Sequence, residues 1–85
     1  MAKVKAVPQP DLVLISWTRN PLIPGSARRI ITSRVIGSAS PCTTLLASGR
    51  LLIVALNCLL RNGFFIVVSR KTSSISGFIL LQRNH

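Results

Sequence analysis

The sequence predicts a mainly α protein. It has an extended N-terminal arm, one apolar helix over residues 41–61, and a short apolar strand or helix segment behind that helix. Three observations predict this. Strongly apolar residues are dense and continuous only between Ser40 and Val68. Ser40-Pro41 couples a favoured N-cap to a proline pre-set for the first helical turn. Asn62-Gly63, directly after Arg61, supplies a residue suited to the left-handed conformation that ends helices, with a cation at the negative end of the dipole. An alternative is a small antiparallel β meander over 51–82. It rests on the β-compatible residues from Leu51 to Leu60, on Asn62-Gly63 as a hairpin dipeptide, and on Phe64–Val68, which Gly77–Leu81 partly echoes.

Eighty-five residues make one domain at most, divided here into a basic flexible arm, 1–39, and an apolar, membrane-compatible region, 40–85. Residues 1–10, MAKVKAVPQP, carry two Lys, two Pro and no periodicity, and read as an extended, mobile start. The apolar run that follows is too short for a secretory signal and comes after a proline and Asp11. Leu12–Ile15 with Trp17 forms a short strand or an interfacial anchor, and Pro21, Pro24 and Gly25 interrupt regular structure behind it. Ser26–Ser40 is Arg- and Ser-rich and free of acids, as mitochondrial transit segments are. On a helical wheel, however, Arg34 falls within the apolar face and Ile36 opposite it.

The expected helix carries one polar line, Thr43, Arg50, Asn57 and Arg61, on an otherwise apolar surface. A narrow polar line of this kind belongs to an intramembrane or bundle-interior helix, whereas a surface helix has a broad polar face. Spanning is close to break-even. The twelve strongly apolar residues of Leu51–Val68 favour insertion by about 4–7 kcal/mol in sum, while Arg61 near the centre costs about 2.5–3.5 kcal/mol. A helix through this stretch would hold Cys42 and Cys58 about 24 Å apart, so two separate buried thiols are expected.

Charge sets the partner class. Eleven Lys and Arg face a single acid, Asp11, for a formal net charge of +10. Cations without internal partners favour anionic lipid, nucleic acid or an acidic protein. Arg28, Arg29, Arg70 and Lys71 are the candidate anionic contacts. No catalytic residues are expected, because one carboxylate and one terminal histidine, His85, do not make an acid–base pair. Cys42, Cys58, His85 and Asp11 lack metal-ligand spacing, and no phosphate-cradling glycine loop is present, so neither metal nor cofactor is expected. The leading expectation is a small, basic, non-enzymatic protein associated with anionic membrane lipid through a transmembrane or interfacial helix, self-associating or binding a protein partner through it. A basic nucleic-acid- or ribosome-associated protein folding on its partner is the first alternative. A product of a young or overlapping reading frame with no evolved site is the second.

Overall fold

The computed structural model describes residues 10–23 and 25–84. Four strands form one antiparallel sheet: β1 (Asp11–Thr18), β2 (Arg29–Ile36), β3 (Phe65–Ser73) and β4 (Ser76–Arg83), in the order β2-β1-β4-β3. Between β2 and β3 the chain makes a 3-10 turn, Thr43–Leu46, and a single ten-residue helix, α1 (Leu52–Arg61). The chain is therefore mainly β, which corrects the expected mainly α fold and its helix over 41–61. Within the expected arm, β1 covers the Leu12–Ile15 and Trp17 run, one of its two expected readings, and β2 adds a strand where none was expected. Of the alternative meander, Phe65–Arg83 is a β hairpin, but residues 52–61 are helical and the central pairing joins β1 to β4. The expected mobile start over residues 1–9 lies outside the described residues.

The two central strands follow the period of two that a half-buried sheet imposes. On β1, Asp11, Val13, Ile15 and Trp17 are buried; on β4, Gly77, Ile79 and Leu81 are. α1 covers this face with Leu52, Ala55 and Leu59, spaced three and four apart on one side of the helix, and Leu56 packs beside them. Ile30, Ala39, Cys42, Leu46 and Phe64 close the core around its edges. Gly77 pairs with Trp17 across the central strands. A Cβ there would collide with the carbonyl oxygen of Arg70 and stand 2.7 Å from Cζ2 of Trp17. Overpacking of this kind costs about 1–3 kcal/mol, so Gly77→Ala is expected to lower the urea midpoint at unchanged m-value. An unchanged midpoint would show that both the indole and the β3 backbone at Arg70 give way at no cost.

The expected helix fails at its centre. Gly49 sits at φ +88°, outside the right-handed region, and α1 begins only after it, with Leu51 as an N-cap that offers no side-chain hydrogen bond. Residues 40–41 form a turn. The C-terminal stop is where a left-handed residue supplies it: α1 ends at Arg61, and Gly63 takes φ +91°. Because the chain doubles back between the 3-10 turn and α1, Cys42 and Cys58 come to a Cα–Cα distance of 5.8 Å and form a disulfide. This replaces the expected pair of separate thiols. The side-chain amide of Asn62 donates to the Cys58 carbonyl at 2.8 Å, fastening the helix end beside the bridge.

Among the described residues no helix is long and apolar enough to cross a membrane. The transmembrane helix expected around Leu51–Val68 is thereby corrected. Its apolar residues are divided between a ten-residue helix that spends its apolar side on the sheet and an edge strand, β3, that exposes Phe65, Ile66 and Val67.

Candidate functional site

The antiparallel register gives the sheet two chemically different ends. At one end stands Asp11, buried, paired across β1 and β4 with Arg83. The Arg83 guanidinium donates from Nε to Asp11 Oδ2 at 2.9 Å, with Nη2 at 2.7 Å from the same oxygen. It also donates to the carbonyls of Ser38, Ser40 and Asn62 at 3.1–3.2 Å and lies 4.5 Å above the Phe64 ring. The second Asp11 oxygen accepts the Ser38 amide at 2.9 Å. The chain's only acid is thus part of a structural hub joining β1, β4, the loop after β2 and the helix C-terminus.

The opposite end gathers cations. Thr18 pairs with Arg29 on β2 and with Ser76 on β4, and Ser76 pairs with Ser73 on β3, so all four strands terminate there. The Arg19 amide donates to the Ile75 carbonyl at 2.8 Å, tying the β1–β2 loop to the β3–β4 turn. The Leu52 amide donates to the Arg28 carbonyl and the Ile30 amide to the Arg50 carbonyl, each at 2.9 Å, which brings the start of α1 to the same end. Arg19, Arg28, Arg29 and Arg50 are assembled here, with Arg70 and Lys71 two and one ladder steps further along the sheet.

Local structure holds some of these side chains and leaves others open. Arg29 Nη1 donates to the Gly49 carbonyl at 2.9 Å. The Arg28 guanidinium lies 4.8 Å above the Trp17 ring, a cation–π contact that spends no hydrogen-bond donors. Among the described residues the Arg19 side chain has no hydrogen-bond partner, and its Nε is buried without an acceptor, as is Nε1 of Trp17. Arg19, Ser26, Arg28, Leu52, Ile53 and Leu56 line an open cleft of about 390 Å³. A neighbouring cleft shares Arg19 and Ser26 and extends to Pro21, Ile23 and Arg29.

Beyond this basic end projects an apolar finger. Leu22 is 87% exposed and Ile23 57%. Asn20 braces its base: its Oδ1 accepts the Leu22 amide at 2.9 Å and its carbonyl accepts Ser26 Oγ at 3.0 Å. The two side chains are therefore presented on a structured loop, with Arg19 on one flank and Arg28 and Arg29 on the other.

The structure distributes the expected site residues unevenly. Arg28 and Arg29 stand side by side at the basic end, and Arg70 and Lys71 join them along β3. Of the polar line, only Asn57 and Arg61 share α1, one turn apart and exposed; Thr43 belongs to the 3-10 turn and Arg50 to the loop before the helix. Arg19, Leu22 and Ile23 lie outside the site residues that the sequence predicts. The signal for them is a Leu-Ile pair set between Pro21 and Pro24 and bordered by arginines, where a folded core has no use for apolar side chains. Among the described residues no cluster of His, Cys, Asp or Glu stands together to hold a metal ion. Comparison with protein-family models, with curated proteins and with solved structures gave no match.

Proposed function

We propose that this chain is a small, non-enzymatic protein that docks peripherally on anionic membrane surfaces through the basic end of its sheet, with Leu22 and Ile23 entering the interface. The observation that carries this reading is the braced finger: two large apolar side chains exposed on a loop that Arg19 precedes and Arg28 and Arg29 follow in the chain. Burying a Leu or Ile side chain is favourable by about 1.5–3 kcal/mol. Each Lys or Arg brought to an anionic surface adds about 1 kcal/mol at physiological salt. The two contributions are of similar size, so apolar and electrostatic attraction work together, and neither needs a membrane-crossing segment.

The test is flotation of the purified protein with vesicles of phosphatidylcholine, with and without phosphatidylserine. Binding is expected only with the anionic lipid and is expected to weaken as salt rises. The double substitution Leu22→Ser/Ile23→Ser is expected to lower partitioning by at least tenfold while leaving the thermal unfolding midpoint unchanged. Equal flotation of this variant and the parent chain would overturn the role of the finger.

A second reading has its own observation. The sheet face away from α1 carries Phe78 directly across from Arg70, and Leu14 directly across from Arg34. Single-strand nucleic-acid platforms combine aromatic stacking surfaces with cations in this way. Under that reading, single-stranded RNA is expected to compete the protein off anionic vesicles, and Phe78→Ala to abolish the competition without affecting flotation.

A further inference from the structure

We infer that the cleft between Arg19 and Arg28 is a binding site for a phosphomonoester, and, resting on the membrane reading above, that it takes the headgroup of the lipid into which the finger dips. Arg19 and Arg28 both line the cleft, and among the described residues neither is paired with an acid or held by a side-chain hydrogen bond. Asp11 stands at the other end of the sheet, at the far end of β1 from Thr18. Guanidinium groups suit phosphate oxygens because their planar donors can engage two oxygens at once.

The rest of the lining fits the same ligand. Ile53, another lining residue, is the second residue of α1, where the fold leaves backbone donors open. The Leu52 amide is taken by the Arg28 carbonyl and the Ala55 amide by the Leu51 carbonyl, while those of Ile53 and Val54 have no acceptor among the described residues. The first turn holds no acidic residue and the N-cap no capping side chain, so among the described residues no group of the helix start competes with an incoming anion. Leu52, Ile53 and Leu56 give the cleft an apolar wall, suited to the glycerol and first methylenes of a lipid. Ser26 adds a hydroxyl. A phosphomonoester, with its second ionisation, offers more charge to these donors than a phosphodiester does.

Trp17 makes the site self-reporting. It is the only tryptophan in the chain, and the Arg28 guanidinium lies 4.8 Å above its ring. A phosphate that draws Arg28 toward Arg19 alters the field on the indole. The experiment titrates the folded chain with glycerol 3-phosphate at constant ionic strength, reading Trp17 fluorescence, and then floats it with vesicles containing phosphatidic acid or phosphatidylserine at matched surface charge. A saturable fluorescence change is expected, together with a preference of about tenfold or more for phosphatidic acid. Arg19→Gln is expected to weaken glycerol 3-phosphate binding by about tenfold. It is also expected to remove the lipid preference, whereas Arg61→Gln, at the other end of the molecule, changes neither.

The outcomes separate the two readings. A linear response equal to that of the Arg19→Gln variant overturns the cleft site, whatever the vesicles show. Saturable binding of glycerol 3-phosphate without a phosphatidic acid preference overturns the lipid source and assigns the cleft to a soluble phosphate ester. Retention of the fluorescence response in Leu22→Ser/Ile23→Ser, alongside loss of flotation, is the expected pattern if both readings hold. Full flotation of that variant overturns the finger alone.

Discussion

Replacing Arg83 with Ala is expected to remove about 3–5 kcal/mol of folding stability, because it takes a charge-assisted pair away from a buried carboxylate and releases three backbone carbonyls at once. Asp11 is only 3% exposed, and Arg83 supplies it with two donors while holding three backbone carbonyls from two other segments. Against a total of about 5–15 kcal/mol for a typical native protein, the loss is large enough to populate unfolded chain at room temperature. Urea denaturation followed by circular dichroism checks it. Arg83→Lys keeps the charge but loses the planar fork and the stacking on Phe64, so it is expected to fall between parent and alanine variant. A loss below about 1 kcal/mol for Arg83→Ala would mean that the hub is a surface ion pair and not a fastening.

Reduction of the Cys42–Cys58 bridge is the second large expected effect. The bridge closes a loop of 16 residues, and cross-linking a loop of about this length restricts the unfolded chain by about 3 kcal/mol. A domain of this size shifts its midpoint by roughly 4–8 °C per kcal/mol, so reductant, or Cys42→Ser/Cys58→Ser, is expected to lower thermal unfolding by more than 10 °C. Thiol titration of the unreduced, denatured chain is expected to find no free thiol. Two thiols per chain, or identical melting with and without reductant, would remove the bridge from the account of stability.

Some of this architecture is legible in the residues and some is not, for identifiable reasons. The helix stop at Asn62-Gly63 is a local event, and local chemistry announces it. The helix start is not: Ser40-Pro41 has every mark of one, yet the chain turns there, and Gly49 nine residues later takes a conformation that no continuous helix admits. The alternation on β1 is masked because Leu12 and Leu14 put apolar side chains on both faces, so the buried set Val13, Ile15 and Trp17 does not stand out by period. Only a continuous helix between them would keep Cys42 and Cys58 apart. Once that segment folds back, proximity follows from the packing of Leu46 and Leu59 into one core.

The candidate site follows the same division. Arg28 and Arg29 are visible as a pair in the sequence, and so are Arg70 and Lys71. Their convergence is not, because it depends on the β1–β4 pairing, a contact between residues some 60 positions apart. Arg19 and the Leu22-Ile23 tip acquire meaning only when that pairing fixes which loops share an end of the sheet. The Arg70–Phe78 adjacency on the outer face is likewise a product of register.

The distance between Asp11 and the Arg19–Arg28 end has an evolutionary consequence. The Asp11–Arg83 hub and the arginines and tip proposed to meet a partner occupy opposite poles and share no side chain. Substitutions at sites so far apart add nearly independently. Selection can therefore reshape the tip and its arginines, lengthening the loop or exchanging the cations for one another, without eroding the scaffold. In a chain this small, that independence is a form of robustness: the hub that fastens one end of the sheet is insulated from the tip free to change its target.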